Sequence, residues 1–421
     1  MSEHIIRLDD LAHPVLNDVE RQFVETAPAV EMTEEAVLSA ARERSGLSDF
    51  GVSDFRERLK VWLRAVDEDR GLGPLGRATA FDEMVRYAVN RLQLEHLVKE
   101  HPEIQDVEID RPIIVAGLPR SGTTHLVNIL ASDPRLRSMQ LWESMMPFPL
   151  PDEQPGPPEQ SPRFTQTQEM WKVFGQILQH MPAMHEMEPD HVHEDIELQG
   201  LDFTTYLIEW RARVPRWTEY YYRDDQAPQY RYGRKALQAL TWLRGPNRWV
   251  MKSPPHMENL RPLITTYPDA TIALTHRDPV AVIQSAVTLL AYWDRIRRTE
   301  MDLPGLAKLW IDRIEHMLRA CVRDRDAMPE GQVVDVIFHD YMADQRGVID
   351  RIYATAGLEI TPEADARIDG YLNANPRGKH GKVAYDLIGH FGIDVAELRN
   401  RFQFYYDRFP VRKEPVLGEK L

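Results

Sequence analysis

RPIIVAGLPRSGTTHLVNILASDP, residues 111–134, is the stretch from which the fold can be read. Ile113, Ile114, Val115 and Ala116 form a short apolar run rich in β-branched residues, which predicts a strand buried on both faces. GLPRSGTT, residues 117–124, follows, and Leu126, Ile129 and Leu130 then recur at helical spacing. Strand, glycine-bounded loop and helix start together make an anion cradle. The loop N–H groups converge, and the first helical turn adds unpaired donors and the positive end of the dipole. Gly117 and Gly122 permit turns and a close phosphate approach that a Cβ would block. The glycines have the spacing of the nucleoside-triphosphate loop G-x-x-x-x-G-K-[ST], yet Thr123 stands where the lysine belongs. The cation lies inside the loop, at Arg120. Such a loop suits one phosphate plus a group polarised by arginine better than a triphosphate with Mg²⁺.

The surrounding composition sets bounds. The chain has 421 residues, 43% hydrophobic and 28% charged, ordinary for a globular protein with a sizeable core. Its 66 acidic against 51 basic side chains give a net charge of -15, so a broad nucleic-acid footprint is not expected. An anionic ligand must be held by a local basic pocket. One cysteine, Cys321, leaves no internal disulfide and suits a reducing compartment. Residues 1–10 are polar, without a secretory pattern, and no apolar run approaches the ~20 residues of a membrane span. The expectation is a cytoplasmic protein.

Upstream of the loop, residues 1–105 read as a helical extension packed on the later core. Thr33 caps one helix, with Gly46 at its end. Leu59, Trp62, Leu63 and Val66 stripe a second, and Phe81, Met84, Ala88, Leu92 and His96 a third. Downstream, residues 106–421 read as an α/β domain with an insertion at about 143–245. Seven prolines within residues 147–162 predict an exposed extended loop, a lid or a spacer. Further strand-like runs lead into Lys252-Ser253, His276-Arg277 and His339-Asp340, with helical segments between them. This alternation predicts a three-layer parallel sheet with ligands at the carboxyl ends of its strands.

Three groups of residues carry chemistry. Arg277 ends a strand, Asp278 and Pro279 start a helix, and Ser285 lies on the same face about two turns on, so Arg277 and Ser285 can grip one further phosphate. Arg377, Gly378 and Lys379 belong to a basic, glycine-containing turn fit to clamp another. Residues 185–195, HEMEPDHVHED, hold candidate proton acceptors in Glu186, Glu188, His191, His193 and Glu194. The same cluster permits a metallohydrolase reading, since imidazole suits Zn²⁺, but no distal ligand set accompanies it. A nucleotide kinase or NTPase is the other alternative. Aromatic residues from Phe203 to Tyr222, with Trp171 and Phe174, either line an apolar acceptor pocket or pack in the core.

The combination of GLPRSGTT, Arg277 with Ser285, the RGKHG turn, Trp142-Glu143 and the WVMKSP segment 249–254 resembles the sulfotransferases that use 3′-phosphoadenosine 5′-phosphosulfate (PAPS), in the bacterial branch of that P-loop-like superfamily. The resemblance spans most of the chain. It implies that Gly117, Arg120, Ser121, Gly122, Thr123 and Thr124 hold the 5′-phosphosulfate. Arg277 and Ser285 hold the 3′-phosphate, assisted by Arg377, Gly378 and Lys379. Arg120 and Lys252 become the cations that neutralise the transferred group, and Glu194 the base, with His193 as runner-up. No metal is implied. The expected reaction is sulfuryl transfer to a hydroxyl of an apolar small molecule or lipid.

Overall fold

The computed structural model describes residues 5–151, 153–185, 187–376, 379 and 381–419. Among the described residues seven strands run in chain order: β1 (Ile5–Ile6), β2 (Ile113–Gly117), β3 (Leu136–Arg137), β4 (Arg248–Ser253), β5 (Thr271–His276), β6 (Val333–Ile337) and β7 (Lys382–Val383). Five of them make one sheet in the order β3-β4-β2-β5-β6, every pairing parallel. β1 and β7 form a separate parallel pair.

All five β2 residues are buried, as the apolar run requires. Alternation along the strand divides them between two cores. Ile113 and Val115 pack with Leu126, Leu130, Val336 and Ile352 on one face. Ile114 and Ala116 pack on the other with Met251, Leu274, Val282 and the N-terminal helices. Period-2 side-chain direction thus places helices on both sides of the sheet. β2 is the point at which strand order turns, with β4 on one side and β5 on the other, the place at whose carboxyl ends parallel sheets of this kind bind their ligands.

The N-terminal helices Glu34–Ser45, Phe55–Glu68 and Pro74–Glu100 share the second core, and Leu59, Trp62, Leu63 and Val66 are buried as their stripe predicts. Thr33 Oγ accepts from the N–H of Ala36, and Gly46 ends that helix at φ 69°. His96, expected inward, is exposed. Leu94 and Val98 take the buried positions instead, because the apolar stripe rotates around this 27-residue helix. The proline-rich segment is mostly exposed but fastened at its end. Arg163 Nε and Nη2 donate to Glu153 at 2.7 and 2.8 Å, and the Arg163 guanidinium lies 4.7 Å over the Trp142 ring. Phe203, Tyr206, Trp217 and Tyr221 are core residues, and Phe203 and Trp217 both pack edge-on against Trp62. Core packing, one of the two alternatives, accounts for these four residues.

Candidate active site

The glycine-bounded loop joins β2 to the helix Thr123–Ala131, and its conformation is built by named contacts. Gly117 has φ 154°, and a Cβ there would stand 1.9 Å from Thr275 Oγ1, so no other residue fits without moving β5. Thr275 Oγ1 hydrogen-bonds Ser121 Oγ at 2.7 Å, and Ser121 Oγ also donates to the carbonyl of Leu118 at 2.6 Å. Ser121 is thereby committed to shaping the loop. Gly122 caps the helix at φ 88°, and a Cβ added there would stand 3.4 Å from the Phe338 ring. Arg120 sits at φ 67°, a left-handed conformation that costs a non-glycine residue about 1–2 kcal/mol and is worth having where a side chain must be aimed.

On one flank of the loop, Lys252 arrives from the end of β4. Its ammonium donates to a carboxylate oxygen of Glu194 and, at 3.2 Å, to Thr124 Oγ1. A lysine therefore does reach the loop, from a neighbouring strand rather than from the position after Gly122. Lys252 is 2% exposed and Glu194 14%. Burial raises the Glu194 carboxyl above its ordinary range, against the opposing pull of Lys252. His193 and His185, rings 6.4 Å apart, are both pushed well below the ordinary imidazole range, by burial first and then by Lys252. Arg120 adds to the effect on His185, so that ring lies within the field of both cations.

The segment carrying Glu194 is held from behind. Asp195 accepts from His256 Nε2 at 3.0 Å, and His256 Nδ1 meets Tyr230 Oη at 2.8 Å, all buried. The tautomer that satisfies this relay has the tyrosine donating to Nδ1 and Nε2–H donating to the carboxylate. The N–H of Asp195 also donates to the carbonyl of Lys252 at 3.3 Å. His256 lies four residues beyond Lys252, so one clasp registers both halves of the ion pair. Sequence reasoning missed His256 because nothing in its neighbours marks it; only the fold brings it to Asp195.

On the other flank, Arg277 at the end of β5 donates through Nη1 to the carbonyl of Arg120 at 2.6 Å. Arg120 Nε donates to Ser285 Oγ at 2.9 Å, and its Nη1 to the carbonyl of Met184. Ser285 Oγ donates to Tyr385 Oη at 3.0 Å. Arg120, Arg277 and Ser285 thus form one contiguous cluster, with the Arg120 side chain turned toward Ser285. Asp278 is the helix N-cap expected, its Oδ1 accepting from Val280 N–H at 3.0 Å. Lys379 is exposed, with its ammonium on Asn375 Oδ1 at 3.3 Å. Arg377 and Gly378 lie outside the described residues, as does Glu186. Among the described residues no three His, Cys, Asp or Glu side chains converge to hold a metal ion, and no helix is long and apolar enough to cross a membrane. A cavity of about 330 Å³ between the helices Phe55–Glu68 and Pro215–Arg223 is lined by none of the loop residues.

A parallel sheet with a glycine-bounded loop at its turning point, a lysine–carboxylate pair on one flank and an arginine–serine cluster on the other is a P-loop-like α/β fold. The chain belongs to the sulfotransferase family, whose model matches residues 112–362, and it is a sulfotransferase. It is 23% identical over 329 residues to the omega-hydroxy-beta-dihydromenaquinone-9 sulfotransferase Stf3 of Mycobacterium bovis, which covers 75% of this chain and 81% of the relative. The crystal structure of sulfotransferase STF1 from Mycobacterium tuberculosis superposes with a TM-score of 0.77 at 28% identity, covering 88% of this chain and 98% of that one. For sulfotransferase STF9 from Mycobacterium avium the TM-score is 0.81 at 26% identity, over 92% and 99%.

Proposed function

We infer that the chain transfers a sulfuryl group from PAPS to a hydroxyl of an apolar small molecule or lipid. The observation that carries the donor is the contiguity of two anion sites. The loop and the Arg277–Ser285 pair touch through Arg120, so one nucleotide bearing phosphates on both sides of its ribose reaches both. The loop N–H groups and the helix start would hold the 5′-phosphosulfate, and Arg277 with Ser285 the 3′-phosphate.

Transfer of the sulfuryl group resembles phosphoryl transfer in needing position and charge neutralisation more than covalent help. Lys252, beside Thr124 at the first helical turn, neutralises charge on the transferred and bridging oxygens. Glu194 takes the proton of the attacking hydroxyl. It is the better base of the two candidates, because burial raises its proton affinity while burial lowers that of His193. An ion pair between base and cation also holds Glu194 ionised until the acceptor arrives.

Two features support an apolar acceptor. The relative Stf3 is named for a hydroxylated dihydromenaquinone. Beside the site, Met181 and Met184 are buried, and Met187 packs against the same core. The Met184 carbonyl holds Arg120, so this adaptable apolar segment borders the loop directly.

Thermal shift with 3′,5′-ADP against ATP–Mg²⁺ tests the donor. A ligand at 100 Kd should add about 2.7 kcal/mol of stability. Preference for ATP–Mg²⁺ would overturn the donor assignment. Sulfate transfer from labelled PAPS to a long-chain alcohol, a hydroxylated quinone and a sugar tests the acceptor, and turnover confined to the sugar would overturn that part.

A further inference from the structure

Arg277 already holds an anion. The carboxylate of Glu414, on the segment that returns from the C-terminal helices, accepts from its Nε at 2.7 Å and from its Nη2 at 2.8 Å. This is the side-on, two-bond geometry with which a guanidinium also receives a phosphate. Both side chains are 17% exposed, and the guanidinium lies 4.1 Å over the Phe338 ring. The backbone of Glu414 is fixed independently of its side chain. Its N–H donates to Asp278 Oδ2 at 2.6 Å, and its carbonyl accepts from Arg399 Nη2 at 2.7 Å. Arg399 in turn is held by Asp278 and Glu419. The helix cap of Arg277's own strand end therefore presents Glu414 to Arg277.

We propose that Glu414 is an internal competitor for the donor, a carboxylate that occupies Arg277 and is displaced only by a ligand bringing a phosphate to that position. This rests on the reading of Arg277 and Ser285 as the site of the donor's 3′-phosphate. A carboxylate and a phosphate dianion cannot share one fork, since like charges a few ångströms apart repel strongly in a partly buried site. The pinned backbone and the partly exposed side chain let the carboxylate leave for solvent by side-chain rotation alone. A nucleotide without the 3′-phosphate gains nothing from Arg277 and leaves Glu414 in place. Binding of the doubly phosphorylated donor includes the work of displacing it. The carboxylate also keeps Arg277 aligned and its charge balanced while no phosphate is bound, so a half-buried cation is not left unpaired.

The experiment is isothermal titration of wild type and Glu414→Gln, each with 3′,5′-ADP and with 5′-AMP, with thermal melts to verify folding. The amide keeps the size of the side chain and removes its charge. Expected is an approximately tenfold tighter 3′,5′-ADP complex in the variant, equal to about 1.4 kcal/mol, with 5′-AMP changed by less than about twofold. Glu414→Ala should behave alike and serves if the amide variant fails to fold. Weaker 3′,5′-ADP binding in both variants would make Glu414 an orienting group for Arg277 and overturn the proposal. Equal tightening of both nucleotides would overturn it too, since the effect would then be a general field. If neither wild type nor variant binds 3′,5′-ADP, the donor reading itself falls, and this proposal with it.

Discussion

Replacing Lys252 by methionine separates its structural role from its chemical one. The ammonium is 2% exposed, and Glu194 is its carboxylate partner, so the substitution leaves a buried carboxylate without a counter-ion. Breaking such a pair from one side costs roughly 3–5 kcal/mol. Glu194 retains 14% exposure, and some water screening brings the expected loss to about 3 kcal/mol. Removing both charges in Lys252→Met/Glu194→Gln abolishes the unpaired carboxylate, and the double variant should regain about 2 kcal/mol against the sum of the singles. Activity should not follow stability. The loss of a cation at the transferred group should lower turnover by about 10²–10³-fold, and the loss of the base by about 10²–10⁴-fold, with the double variant no faster than either. Urea unfolding followed by the fluorescence of the nine tryptophans reads the first quantity, and sulfate transfer from labelled PAPS the second. A double variant as unstable as the summed singles would show that the pair is not coupled. Wild-type turnover in Lys252→Met would remove Lys252 from the reaction.

Four further outcomes follow from the structure. Gly117→Ala forces a Cβ to within 1.9 Å of Thr275 Oγ1 and dislodges the hydroxyl that shapes the loop through Ser121. Stability should fall by about 1–3 kcal/mol and nucleotide binding should weaken. Gly370→Ala, in open space on the helix Pro362–Ala374, should instead gain about 0.5–1 kcal/mol in the same urea titration. Glu194 must be ionised to accept a proton, and burial raises its carboxyl, so the acid limb of kcat/KM should lie at higher pH than an exposed glutamate gives; Glu194→Gln should erase that limb from the residual rate. His256→Ala cuts the clasp on Asp195 and should lower kcat by roughly tenfold while 3′,5′-ADP affinity stays near wild type, with His256→Gln recovering part of the rate. A fall in affinity without a fall in kcat would show that His256 does not register Glu194.

How much of this was legible in advance varied by element. β2, its loop and the following helix were readable because a buried strand, a phosphate loop and a helix start are local patterns, each imposed by backbone geometry within a few residues. β4, β5 and β6 were readable for the same reason; Lys252 and Arg277 could be singled out at their ends and Ser285 on the helix that follows β5. The two-residue strands β1, β3 and β7 carry too few residues for any periodicity. His96 was misplaced because a stripe extrapolated along 27 residues drifts around the helix.

From sequence alone came the loop, the strand ends and the residue types able to neutralise a sulfonated nucleotide, since those depend on contacts between near neighbours in the chain. Tertiary structure alone decided who meets whom. Lys252 faces Glu194 across 58 residues, Arg120 turns to Ser285 across 165, and Glu414 reaches Arg277 across 137. Long-range pairs of this kind have no local signature, because a carboxylate acquires its partner only when packing of the two cores fixes which strand end lies beside which segment.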